Sequence, residues 1–297
     1  MSDASPPAPV DSATVILLRE PIPGALEVLL VARHTESRAF AGAHVFPGGL
    51  LEAGDASADV LRTLAPATAS GTLGAVASDE AALAFYVTTI RELFEEAGIL
   101  LADHDGRRLG FSDPAVRERF AAHRRALIEG TLSFGDFVAH ERLTLRGDDL
   151  RYFSRWITPV HAPRRYDARF FVAPVPPDQE PLHDERETTA AEWWTPAAAL
   201  AGASAGTLVL TPPTARTLED LVELGSIDRV FATVASRRVS PILPKVVQIG
   251  DRMGVLYPGD VDYDATEAGA VLPAERSGPL NRVIMDDAGW RRFRGLR

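Results

Sequence analysis

Between Arg91 and Ile99 the chain reads Arg-Glu-Leu-Phe-Glu-Glu-Ala-Gly-Ile, and three of those nine side chains are carboxylates. On an α-helix each residue advances roughly 100°. Glu92, Glu95 and Glu96 then fall at i, i+3 and i+4, together on one side. Leu83, Val87, Ile90, Phe94 and Ala97 form a stripe on the other side, which should face a core and leave the carboxylates on the exposed face. Like charges spaced this way cost a few tenths of a kcal/mol each on a solvated helix. A hard divalent cation such as Mg²⁺ would offset that repulsion, because it takes oxygen ligands and is held by carboxylates together with substrate phosphates. Arg91 is placed to pair with one carboxylate and fix its rotamer. Taken alone, the pattern is also that of a solvated acidic helix face, so the rest of the chain has to decide.

The elements around this segment are legible from their punctuation. A helix is predicted over 79–97, with Ser78 as N-cap, Asp79 and Glu80 in the first turn and Gly98 closing the end. Residues 14–19 and 26–33 are rich in Val, Ile and Leu and flank Pro21-Ile22-Pro23-Gly24, which predicts a hairpin. A glycine-rich loop, Phe46-Pro47-Gly48-Gly49, follows; its glycines let backbone approach a ligand closely, although an ordinary turn would use them too. Residues 56–78 are rich in Ala, Ser, Thr and Gly, with one short helix expected near 60–64. A charged helical stretch over 113–142 opens at Asp113-Pro114. Strands are expected over 152–160 and 169–175, and Trp193-Trp194 should end another. Helices are expected over 196–201 and 214–224, the second opened by Pro212-Pro213. Strands interleaved with helices indicate an α/β or α+β chain. Residues 1–11 read as a disordered tail, and 226–297 is the least legible part.

Composition removes several classes of function. Hydrophobic residues are 46% and charged residues 24% of the 297, which is ordinary globular usage. There is no cysteine, so a disulfide framework, thiol catalysis and cysteine-ligated metal sites are excluded. A net charge of −10 argues against a broad nucleic-acid or anionic-membrane surface, while leaving room for a small phosphate pocket. No apolar run reaches transmembrane length. The first residues lack the basic start and apolar stretch of a secretory signal, and Gly295-Leu296-Arg297 is not a peroxisomal address. The expectation is a soluble cytoplasmic protein.

The segment from Arg91 to Ile99 resembles the Nudix hydrolases, whose signature is G-x5-E-x7-R-E-U-x-E-E-x-G-U with U aliphatic. It matches the second half at every specified position; ordinary residue usage makes that a chance event in fewer than about one chain in 10⁵. The first half is similar to Gly49-Leu50-Leu51-Glu52-Ala53-Gly54-Asp55. Asp55 stands where the signature has Glu, and 35 residues separate it from Arg91 where the signature has seven. Loop-closure entropy grows slowly with length, so such an insertion is tolerable. The resemblance implies a Nudix α/β/α sandwich with a mixed sheet over residues 12–225, carrying insertions at about 56–78 and 113–142. A C-terminal extension, 226–297, would pack on that domain. It implies that Mg²⁺ or Mn²⁺ is held by Glu92, Glu95 and Glu96, joined by the backbone carbonyl of Gly49, with Arg91 orienting the carboxylates.

The residues ahead of the glycine pair narrow the substrate. The coenzyme A diphosphatase branch of the Nudix family carries L-L-T-x-R-S-x3-R-x3-G-x3-F-P-G-G upstream. Leu29, Leu30, Arg33, Arg38, Gly42, Phe46, Pro47, Gly48 and Gly49 match in register, while Val31 and His34 replace the Thr and Ser. The split signature, Trp156-Ile157-Thr158-Pro159, Arg165-Tyr166-Asp167 and Pro212-Pro213-Thr214 are also similar to the acyl-CoA diphosphatases, so the likeness runs over about 13–224. It implies hydrolysis of coenzyme A or acyl-CoA to 3′,5′-ADP and (acyl-)4′-phosphopantetheine. Reading the coenzyme's 3′-phosphate calls for cations, and Arg33, Arg38, Arg164 and Arg165 are the candidates; Gly48 and Gly49 are the expected places where backbone approaches the substrate closely. A late-loop carboxylate is also expected in the catalytic set. Glu187 fits best and Glu141 is a rival. His44 is placed to touch substrate, and no histidine is assigned to metal. The partner is thus a small nucleoside diphosphate derivative, with no nucleic acid or membrane, and a homodimer is expected by resemblance. Two other readings stay open: a diphosphatase for ADP-ribose, NADH or nucleotide sugars, and a non-catalytic nucleotide sensor.

Overall fold

The computed structural model describes residues 6–34, 42–65, 73, 78–182, 188–286 and 289–294. The chain divides into two compact units. The larger comprises 12–153 and 169–239; the smaller comprises 1–11, 154–168 and 240–297.

The larger unit holds most of a mixed sheet and the helices described here. Its strands are β1 (Val10–Arg19), β2 (Glu27–Arg33), β3 (His44–Val45) and β4 (Gly48–Leu50). Helices α1 (Ala58–Leu61) and α2 (Asp79–Ala97) follow, then β5 (Ala102–His104) and β6 (Arg107–Arg108). Next come α3 (Pro114–Ile128), α4 (Phe134–His140), β7 (Leu143–Leu145), β8 (Arg151–Ile157), β9 (Tyr166–Pro174) and β10 (Thr188–Trp194). Helices α5 (Pro196–Ser204), α6 (Pro212–Leu224) and α7 (Ile227–Ser236) close it. The sheet order is β10-β2-β1-β9-β8, with β3 on β2 and β4 on β1, and the start of β1, the end of β8 and the start of β9 belong to the smaller unit. β1 and β2 form the expected antiparallel hairpin, Leu18 opposite Val28. Gly24 takes φ +80° in its turn, a conformation that suits a residue without Cβ.

Alternation along β1 explains how this sheet is used. Ala13, Val15 and Leu17 point into a cluster with Phe85, Ile90, Leu93 and Phe94 of α2, while Ile16 and Leu18 are buried on the other face. A strand buried on both faces reads as a continuous apolar run, as 15–18 does. Each large side chain fully buried here contributes roughly 1.5–3 kcal/mol. α2 starts and stops where the sequence says. Ser78 Oγ accepts the Ala81 N–H at 3.2 Å, and Gly98 takes φ +70° with its N–H on the Phe94 carbonyl.

Two expectations need correction. The glycine-rich loop is a strand: Gly48, Gly49 and Leu50 pair antiparallel with Thr14, Ala13 and Ser12. A Cβ on Gly48 would stand 2.3 Å from the Ala13 carbonyl oxygen, so only glycine lets the two backbones come this close. The helical stretch over 113–142 is two helices, because Ser133 caps a new start, accepting the Asp136 N–H.

The smaller unit holds β11 (Pro241–Ile242), parallel to the end of β8, and a separate sheet. That sheet comprises β12 (Lys245–Ile249), β13 (Arg252–Leu256), β14 (Val271–Leu272), β15 (Asn281–Asp286) and β16 (Gly289–Arg294), in the order β14-β12-β13-β15-β16. Val247, Ile249 and Leu256 form its small core, and Gly250-Asp251 makes the two-residue turn between β12 and β13. Arg282 anchors this unit by donating to Asp260 and, at 2.9 Å, to Asp262. Among the described residues, no helix is long and apolar enough to cross a membrane.

Candidate active site

α2 carries the acidic cluster, and Arg91 is its hub. The guanidinium is 3% exposed and reaches four partners. Nε donates to Asp55 Oδ1 at 2.9 Å and Nη2 to Asp55 Oδ2 at 3.0 Å, a two-pronged contact. Nη2 also donates to the Leu50 carbonyl at 2.9 Å. Nη1 donates to Glu92 Oε1 at 2.9 Å and to Glu95 Oε2 at 3.0 Å. Arg91 therefore pairs with three carboxylates, two of them on α2, where the sequence suggested one.

Asp55 is what the sequence reading missed. It is 1% exposed and takes, besides Arg91, the Thr88 hydroxyl at 2.8 Å and the Glu52 N–H at 3.0 Å. A short Asp fits because the turn Ala53–Ala56 brings its backbone close to α2. The signal was present: a carboxylate at the signature's first acidic position, 36 residues before the arginine it holds. A second missed contact comes from α3, where Arg124 donates through Nε at 3.0 Å and Nη2 at 2.9 Å to the Glu95 carbonyl. That carbonyl lies in the last turn of α2, where helices leave acceptors unsatisfied.

The carboxylates are less exposed than helix geometry suggested. Glu96 is buried, and its Oε2 accepts the Gly48 N–H at 2.9 Å. The side chains of Glu92 and Glu95 are 13% and 22% exposed. The expected solvated face is closed over by β4, whose Gly49 has no room for a side chain: a Cβ there would stand 2.3 Å from Glu92 Oε1. The structure thus brings together Arg91, Glu92, Glu95, Glu96, Gly48 and Gly49.

Electrostatics follow from that crowding. Burial pushes the Glu92 carboxyl up to about 7, Arg91 pulls it back, and Glu95 adds to the rise. Burial likewise raises Glu95 above its usual range, against the pull of Arg91. Burial alone would lower the Arg91 pKa, but the Asp55 hydrogen bonds and the Glu92, Asp55 and Glu95 charges hold it well above its usual value. One arginine faces more carboxylate charge than it neutralises. An all-oxygen donor set with surplus negative charge fits a hard divalent cation.

The other expected residues are dispersed. Arg33 ends β2, and its Nε is shielded from solvent without a hydrogen-bond partner among the described residues. His44 pairs across from Ala32, and burial lowers its pKa. Arg165 lies in the smaller unit and donates to the Thr158 and Pro7 carbonyls at 3.1 and 2.9 Å. Glu141 sits with His123 and Arg119 of α3. Arg38 and Glu187 lie outside the described residues.

A family model described as the NUDT19 Nudix domain matches residues 10–221. The chain belongs to the Nudix hydrolases. Within that family, the acyl-coenzyme A diphosphatase NUDT19 of Gallus gallus is 32% identical over 279 residues, covering 80% of this chain and 72% of the relative. The protein of the same name from Homo sapiens is 28% identical, over 82% and 74%. Among solved structures, a NUDIX hydrolase from Alicyclobacillus acidocaldarius superposes with a TM-score of 0.62 at 25% identity, over 76% of this chain and 97% of that one. The α/β Nudix fold expected from the signature is the fold observed.

Proposed function

We propose that this Nudix hydrolase cleaves coenzyme A or acyl-CoA at the diphosphate, giving 3′,5′-ADP and (acyl-)4′-phosphopantetheine. The observation that carries the reading is the Arg91-centred carboxylate cluster lying inside a stretch that matches the NUDT19 Nudix domain. The names of the relatives supply the substrate class. Glu92, Glu95 and Glu96, with the Gly49 carbonyl, would hold Mg²⁺ or Mn²⁺. When bound, the ion supplies charge neutralisation at the phosphates and a more acidic water.

The chain's own residues do the positioning. Asp55 holds Arg91, and Arg91 holds Glu92 and Glu95 in one geometry. The Gly48 N–H holds Glu96. Preorganised charge of this kind needs no rearrangement when the reaction occurs. Arg33, whose shielded Nε has no hydrogen-bond partner among the described residues, Arg38 and Arg165 are the proposed phosphate contacts, and Glu187 the proposed late-loop carboxylate. A cytoplasmic location and a homodimer complete the proposal; cell fractionation and light scattering test them.

The test of the substrate reading compares coenzyme A with dephospho-CoA, which lacks the 3′-phosphate. Arg38→Ala should lower kcat/KM for coenzyme A by more than tenfold and for dephospho-CoA by much less. Equal losses on both substrates would remove Arg38 from that role. A wild type indifferent to the 3′-phosphate would overturn the substrate assignment.

A further inference from the structure

Apart from the acidic cluster on α2, one group of side chains among the described residues has the composition of a metal site. His123 on α3, His140 at the end of α4 and Glu141 immediately after it each offer one ligand atom, and these atoms all lie within 4.8 Å of one another. We propose that His123, His140 and Glu141 bind a zinc-type divalent ion that ties α3 to α4.

The donor chemistry argues for this class of ion. Two imidazoles and one carboxylate suit Zn²⁺ and its transition-metal neighbours, whereas Mg²⁺ prefers oxygen alone. The two sites of the protein would therefore sort ions by ligand type, oxygen on α2 and nitrogen-rich here. Geometry argues for it as well. His123 Nε2 stands 2.9 Å from Glu141 Oε1. Two ligands at ordinary zinc distances and a tetrahedral angle are about 3.4 Å apart, so this pair needs to open by only about half an ångström. His140 is exposed, and its ring centroid is 5.5 Å from that of His123, so a side-chain rotation brings it in.

The anchor is already fixed. Glu141 is 6% exposed and sits at the C-terminal cap of α4. His123 is held on two sides by rings, 5.3 Å from Phe137 and 6.3 Å from Phe120. Arg119 Nε now pairs with Glu141 Oε1 at 3.1 Å, but that side chain is 44% exposed, and swinging into solvent as an ion enters gives up only this pair and its contact over the Phe120 ring. A bound ion would lock the helix that carries Arg124, whose guanidinium satisfies the Glu95 carbonyl. The same ion would thus brace the end of α2.

The test is calorimetric titration of the chelator-treated full chain with Zn²⁺ under a millimolar excess of Mg²⁺, which occupies the oxygen-only site. The Glu96→Gln variant, run in parallel, reports any zinc taken by α2. The expected result is one equivalent of Zn²⁺ bound by both proteins and a higher melting temperature with zinc. His140→Ala should weaken binding at least tenfold and abolish the melting shift, while melting like the wild type without metal because the residue is exposed. No binding by the wild type, or equal binding by His140→Ala, would overturn the proposal. Zinc binding lost in Glu96→Gln and kept in His140→Ala would overturn it too, by assigning the ion to α2.

Discussion

Replacing Asp55 by Asn tests the positioning argument where it is strongest. The substitution preserves shape and removes one buried charge. With the amide oxygen facing Thr88, Arg91 Nη2 keeps a neutral acceptor in place of a charged one, while Nε loses its 2.9 Å bond and faces an NH2 group; a bond to a charged group contributes roughly 1.5–3 kcal/mol. Breaking a buried ion pair by removing one partner costs about 3–5 kcal/mol. Glu92 and Glu95 still compensate Arg91, and Asn still accepts the Thr88 hydroxyl, so the lower end applies, about 3 kcal/mol. The assay is urea unfolding in chelator, with Asp59→Asn as control. Asp59 is 89% exposed and pairs with Arg62 on the surface, so its loss should stay within about 0.5 kcal/mol. In Mg²⁺, Asp55→Asn should also lower kcat by roughly 10–100-fold with little change in KM, because Arg91 no longer holds two carboxylates in register. Two variants of equal stability and equal turnover would refute the claim that Asp55 sets Arg91.

The remaining expectations follow from the same cluster. Glu96→Gln should lower kcat by at least 10²-fold while the Gly48 N–H keeps an oxygen acceptor, so its unfolding midpoint should move little; unchanged turnover would contradict a ligand role. Gly49→Ala puts a methyl group 2.3 Å from Glu92 Oε1, and the displaced carboxylate should weaken Mg²⁺ activation in a titration of rate against Mg²⁺. The raised Glu92 value has a sign that unfolding can read. Its folded pKa of about 7 lies above the ordinary 4.5, so the metal-free folded state holds a proton that the unfolded state has released. Stability from this group is full below about 4.5 and is lost as pH rises to about 7. Mg²⁺ should then stabilise the protein more at about pH 8 than at about pH 5, by up to about 3 kcal/mol. An equal Mg²⁺ effect at the two pH values would contradict it.

The sequence made α2 legible because local rules and the chemical pattern agree there. Ser78 caps it, Gly98 ends it, and the Arg-Glu-x-x-Glu-Glu spacing places the hub beside the carboxylates it holds. It did not reveal that Glu96 is buried. Periodicity reports the faces of an isolated helix, whereas Glu96 is covered by β4, which reaches it only because Gly48 and Gly49 lack side chains. The roles of Asp55 and Arg124 were hidden for a related reason: both act on α2 from 36 and 29 residues away, a separation that no helical or strand period encodes. The smaller unit was opaque because its strands are short and its apolar core rests on few residues, Val247, Ile249 and Leu256. Its ion-paired Arg282 reads in sequence like any surface arginine.

Product analysis by mass spectrometry in ¹⁸O-labelled water, with coenzyme A, acetyl-CoA, ADP-ribose, NADH and a nucleotide sugar offered separately in Mg²⁺ and in Mn²⁺, tests the central claim most directly. The account predicts 3′,5′-ADP and phosphopantetheine products from the coenzyme A compounds, one ¹⁸O per cleavage, and much slower turnover of the others. Preferred cleavage of ADP-ribose, NADH or the nucleotide sugar would contradict the substrate assignment, and no turnover of any diphosphate with either ion would contradict the role given to Glu92, Glu95 and Glu96.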